Sequence, residues 1–265
     1  MANQFQVPSL LPRRLEELHL SPEGVLRKAG LPMGLFNQEK ILVSRDEFFA
    51  LYRGIAEATD DPGFGLKLGT EDRVERYDPI QIAALSARSS RDALQRVARY
   101  KRLTFPAELR LVERGNECAV QFVWLQAHEK GPALLVDVCF ASIVAIGSRS
   151  VGRPLSPRRV EFQRTPAHRE MYEAHFGCLV KFKARQNALI FSQADMELPF
   201  VTHNAELLAV VAPHLEAELA EQFGHETFSE QAKAILKRLV AGERPGIQDL
   251  ARELRLSTRT LQRRL

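Results

Sequence analysis

Between Ser89 and Trp124 the apolar residues change from helical to alternating spacing, so the chain can be neither all-helical nor all-β. Ser89 or Ser90 is placed to cap a helix on which Leu94, Val97, Ala98 and Lys101 share one side, with Arg96, Arg99 and Arg102 elsewhere. Leu109, Leu111 and Glu113 then alternate with Arg110 and Val112. Gly115-Asn116 supplies a turn, and Cys118, Val120, Phe122 and Trp124 return on one face, which predicts a β-hairpin.

Helical signals surround this hairpin. Leu10 to Leu20 has helical spacing, and Ser21-Pro22 starts a second short helix through Ala29. Ser44 and Glu47 form a capping box for a helix to Thr59, with Phe48, Leu51 and Ile55 on one face. Asp61 to Gly69 reads as a turn leading to a short buried segment. Gly131-Pro132 opens an apolar helix from Ala133 to Arg149, placed in the core. Its most apolar part, Ala133 to Ile146, is about fourteen residues and contains Asp137, too short and too polar to span a bilayer. Val160 and Phe162 mark a strand, Ala167 to Phe176 a helix, and Leu179–Lys183 with Ala188–Phe191 a second strand pair. The fold class predicted is α+β.

After Leu198-Pro199, Asn204 caps a helix to about Phe223, kinked at Pro213. Its stripe of Leu207, Leu208, Val211, Leu215 and Leu219 either packs on its own domain or pairs with a second copy. Gly224 to Phe228 reads as a hinge, followed by a helix from Ser229 to Val240. Leu250, Ala251 and Leu254 share one face of a further short helix. Ser257 then caps another, whose apolar residues are Leu261 and Leu265 and whose outer face carries Thr258, Arg259, Gln262 and Arg263. Composition alone would make this a solvated face, but Arg and Gln are also the side chains that suit guanine and adenine edges. Two short helices at a sharp turn form a helix-turn-helix, the second being the reader.

The order S-x-R-T-L-Q-R-R-L after A-x-x-L-x-L resembles the first helix-turn-helix of the AraC family of bacterial transcription regulators. The motifs D-P-G-F-G-L-K-L-G at Asp61–Gly69, S-S-R-D-A-L-Q-R-V-A-R-Y-K-R-L at Ser89–Leu103, and the spaced pattern from Pro157 to Phe191 are similar to the arabinose-binding-like effector domain of one branch of that family. The resemblance implies an effector domain over residues 10–200, a linker and dimerisation helix over 201–225, and a partial helix-turn-helix domain over 226–265. It implies that Arg259, Gln262 and Arg263 meet bases while Thr258 and Arg264 lie nearer phosphates. Arg255 stands where the family commonly has glycine, and the family has a second helix-turn-helix unit beyond the point where this sequence stops. It also implies double-stranded DNA and an unidentified small effector as partners, and tilts the 201–225 stripe toward homodimer pairing.

Charge agrees with that division. Residues 226–265 carry nine Lys or Arg against five Asp or Glu, which accounts for the whole net charge of +4. A neutral body joined to a basic end fits a sensor joined to a polyanion binder. The start of the sequence lacks a secretory pattern, and Cys118, Cys139 and Cys178 form no C-x-x-C, so a cytoplasmic, membrane-free protein with buried thiols is expected. His168 and His175 are seven apart with no metal-binding spacing, and no nucleophile elbow, P-loop or dinucleotide fingerprint occurs. No metal, no cofactor and no enzymatic activity are therefore expected. For effector contact the candidates are Tyr100, Phe122, Trp124 and Phe140, residues that serve equally well as ordinary aromatic core.

Overall fold

Capped ends define most helices in the first half of the chain, and short strand pairs tie them together. Strand β1, Gln4–Gln6, pairs antiparallel with β2, Leu42–Ser44, with Phe5 opposite Val43. Between them run α1, Leu11–Glu17, and α2, Pro22–Ala29, the latter capped where Ser21 accepts from the Gly24 N–H. Helix α3, Arg45–Ala58, starts in the predicted Ser44/Glu47 box and buries Phe48, Leu51 and Ile55. The segment expected as a turn is a helix instead: α4, Phe64–Gly69. Asp61 starts it by accepting from the Gly63 N–H at 2.9 Å. Helix α5, Pro79–Leu85, has a reciprocal Asp78/Gln81 box that the sequence reading missed.

Helix α6, Ser90–Thr104, leads into β3, Ala107–Arg114, and β4, Glu117–Trp124. These two strands form the predicted hairpin, Ala107 facing Trp124 and Arg114 facing Glu117, with Gly115 in the left-handed region that the turn requires. Next come α7, Ala133–Val151; β5, Arg159–Glu161; α8, Arg169–Phe176; β6, Leu179–Lys181; and β7, Asn187–Ser192. The sheet order is β3-β4-β7-β5-β6.

That order corrects the expected pairing of β6 with β7. Strand β5 lies between them, parallel to β6 through the α8 crossover and antiparallel to β7. A parallel pair needs such a crossover, and α8 supplies it. Strand β7, flanked on both sides, is buried along its whole length.

Helix α7 is the spine of the domain. At 19 residues it is longer than expected, and by length and composition it could cross a membrane. Here it is a core helix. A Cβ on Gly69 would fall 2.3 Å from the Val138 carbonyl oxygen, and one on Gly65 2.8 Å from the Asp137 Cβ. Two glycines four apart therefore let α4 lie directly against α7, which buries Leu135, Phe140 and Ala141 almost completely.

Short α9, Gln193–Met196, is followed by α10, Ala205–Phe223, whose Leu207 N–H donates to Asn204 Oδ1 at 2.9 Å. The expected single stripe on α10 divides into two faces. Within it Leu208 and Leu215 are buried, whereas Leu207 is exposed; Val210, which is not part of the expected stripe, is 72% exposed. Last is α11, Ile247–Glu253. This computed structural model describes residues 4–124, 131–223, 235, 246–254, 258, 260 and 261. The chain divides into two compact units, Met1–Leu215 and Glu216–Leu265.

Candidate functional site

In the first unit a row of aromatic rings runs through the core from α3 across the hairpin to the β5–α8 segment. Phe49 meets Trp124 edge-on at 5.2 Å, and Trp124 is 6.3 Å from Phe122. Phe122 meets Phe140 at 5.9 Å, Phe140 stacks on Phe162 at 5.6 Å, and Phe162 meets Tyr172 at 5.3 Å. Alternation along β4 puts Phe122 and Trp124 on the same side of the sheet, and helical spacing on α7 brings Phe140 over them. Three of the four predicted effector residues are thus brought together. Tyr100 is buried on α6 but lies outside this row, its ring approached by the Arg99 guanidinium at 6.0 Å.

At one end of the row, charge is tightly matched. Asp137 of α7 is buried, and its carboxylate accepts two bonds from Arg164, at 2.6 and 3.0 Å, and one from the Tyr172 hydroxyl at 2.9 Å. The guanidinium also lies over Phe162 and Tyr172, 4.0 and 4.7 Å from the ring centroids. Burial pushes the Asp137 carboxyl above its ordinary value, and Arg164 and Tyr172 pull it back only in part. The Tyr172 phenol is pushed up by burial and by the neighbouring carboxylate. A carboxylate in an apolar helix must find such partners or unfold its surroundings.

The other end is built differently. Phe105, just after α6, is surrounded by Phe48 at 5.3 Å, Phe122 at 5.9 Å and Trp124, which stacks on it at 6.1 Å. The Lys101 ammonium sits 4.2 Å from the Phe105 centroid. Its charge is felt by the half-buried Asp78 carboxyl and the buried Cys139 thiol. Burial pushes Cys139 up to about 11 even so. Asp78 spends its oxygen on the Gln81 N–H, at 2.7 Å, and its bond to Lys101 is not closed. Trp124 is half-buried, and its indole Nε1, fully enclosed, has no hydrogen-bond partner among the described residues.

In the second unit Leu250, Ala251 and Leu261 form a buried cluster with Ile235 and Leu254 against it. Leu261 is fully enclosed, as expected for the inner face of a helix, and Thr258 is helical and half-buried. Arg259, Gln262, Arg263 and Arg264, with Arg255, Ser257 and Leu265, lie outside the described residues. So does most of the expected hinge and helix over residues 224–240.

Sequence reasoning singled out neither Asp137–Arg164–Tyr172 nor Lys101. A signal existed for both: Asp137 is a lone acid within an apolar helix, and Lys101 falls on the apolar side of α6. Among the described residues no group of three His, Cys, Asp or Glu is placed to hold a metal.

Comparison with known proteins points one way. The family described as the arabinose-binding domain of AraC transcription regulators, N-terminal, matches residues 20–200. The ornithine utilization regulator of Pseudomonas aeruginosa is 27% identical over 207 residues, 77% of this chain and 61% of that protein. The HTH-type transcriptional regulator VirS of Mycobacterium tuberculosis is 24% identical over 260 residues, 95% of this chain and 74% of its own. The crystal structure of the transcriptional regulator CdpR from Pseudomonas aeruginosa shares the fold, with a TM-score of 0.57 at 18% identity over 96% of this chain and 77% of that one. The family and these relatives are transcription regulators, not enzymes.

Proposed function

Since the chain belongs to the AraC transcription regulators that carry this N-terminal domain, we propose that it is a cytoplasmic, effector-responsive regulator. Residues 10–200 bind a small molecule, 201–225 link and pair two copies, and 226–265 contribute to reading double-stranded DNA. In this reading Arg259, Gln262 and Arg263 contact bases, and Thr258 and Arg264 contact the phosphate backbone. The observation that carries it is the enclosure of Leu261 with Leu250 and Ala251, the apolar half of the pattern from which the reading face was derived. The basic excess confined to residues 226–265 supports it.

A gel-shift titration at several salt concentrations tests the reading. Specific binding is expected, with Arg263→Ala losing about 1–3 kcal/mol of discrimination at one base position. An unchanged preference in that variant would remove this helix as the reader.

The exposed Leu207 and Val210 on α10 favour a second reading, in which the chain senses and pairs but does not grip DNA by itself. Weak, nonspecific and strongly salt-sensitive retention, together with a concentration-dependent dimer lost in Val210→Asp, would select it.

A further inference from the structure

Two donors border Phe105: the Trp124 indole N–H, enclosed and without a partner among the described residues, and the Lys101 ammonium, which lies on the face of the ring. The indole N–H and the ammonium can only donate, so both select for a lone pair from whatever lies beside them. A buried indole N–H left unmet carries a desolvation cost, which a ligand supplying the acceptor recovers. Around them the buried rings of Phe48, Phe49, Phe105 and Phe122 pack edge-on and make the surroundings apolar.

Charge decides the sign of the ligand. Asp137, the buried acid of α7, is already occupied by Arg164 and Tyr172. Asp78 is occupied by the backbone of α5, and burial disfavours its charged form. Among the described residues Lys101 is the cation that lies on Phe105, and a cation answers an anion. We propose that the junction of α3, α6 and β4 around Phe105 binds a small carboxylic acid with an aryl or alkyl body. The carboxylate lies on the Lys101 ammonium and a neutral acceptor meets the Trp124 indole N–H. This rests on the reading of residues 10–200 as an effector domain.

Trp124 is the single tryptophan of the chain, so intrinsic fluorescence reports this junction directly. The whole protein is titrated with 3-phenylpropionate and with decanoate, and with the amide of each. A saturable change is expected with at least one acid, with its amide binding about tenfold more weakly. Lys101→Met weakens the acid by about the same factor and leaves the amide unchanged, while Lys101→Arg retains binding. Circular dichroism and Tm confirm that each variant is folded.

The proposal is overturned if neither acid gives saturation, if acid and amide bind alike, or if Lys101→Met leaves the acid unaffected. A thermal-shift screen of neutral and cationic metabolites separates the two levels of failure. A hit there, with the acids silent, leaves the effector domain standing and removes this ligand class. Silence throughout removes both.

Discussion

The two ends of the aromatic row solve the same problem, a polar group inside an apolar domain, in opposite ways. Asp137, Arg164 and Tyr172 answer one another through three hydrogen bonds. Near Phe105, Lys101 rests on a ring face and the Trp124 N–H has no partner among the described residues. A closed network fixes geometry, tying α7 to the loop after β5 and to α8. An open pair of donors adds nothing to stability that an apolar residue could not, so its presence is an argument for binding.

The largest effect expected is at the closed end. Asp137→Ala leaves a partly buried guanidinium without its carboxylate and should cost about 3 kcal/mol in urea unfolding. Replacing both charges together, as Asp137→Leu with Arg164→Met, should recover much of that loss. If the double variant is no better than the single one, the network is not coupled in the way its geometry indicates.

The open end should respond in the opposite sense. Lys101→Met keeps the length of the side chain and removes an ammonium that closes no ion pair with Asp78, so stability should change by less than about 0.5 kcal/mol or rise. A loss comparable to that of Asp137→Ala would show that Lys101 holds Asp78 in place, and the contrast between the ends would collapse.

How far this contrast could be read from the sequence follows from the range of each signal. The β3–β4 hairpin and the Ser21, Ser44 and Ser89 caps are local patterns, complete within a few residues, and they are found where expected. Asp78, Pro79 and Gln81 carried an equally local signature for α5 that went unread. The expected β6–β7 pair failed because adjacency in sequence favours a hairpin, whereas β5, separated by a helix, takes the intervening place. Asp137 and Arg164 are 27 residues apart, and spacing alone cannot join them. Phe122, Trp124 and Phe140 were nameable as aromatics on inward faces. That Trp124 carries an unmet N–H and stacks on a ring that also carries a lysine emerges only once Phe105, between α6 and β3, is packed against β4.

The smallest effect is in the acid range, and it sharpens the comparison by adding a surface cluster. Glu17 of α1 pairs with Arg73 at 2.7 Å and with Arg76, which hold its carboxyl down at about 2. A carboxylate whose folded value is depressed contributes stability above its unfolded value and loses it as pH falls toward about 2. Asp137 has the opposite sign. Burial raises its folded value, so the folded state takes up the proton first and stability from this group rises as pH falls through that value. Stability measured against pH should therefore fall less steeply in acid for Glu17→Gln than for the wild type, and more steeply for Asp137→Asn. Because Glu17 is partly exposed and screened by salt, its slope should shrink as ionic strength rises, while that of Asp137, enclosed between α7 and α8, should hold. Equal salt sensitivity in the two variants would mean that the Asp137 network is open to solvent, and the closed end of the row would lose its claim to that description.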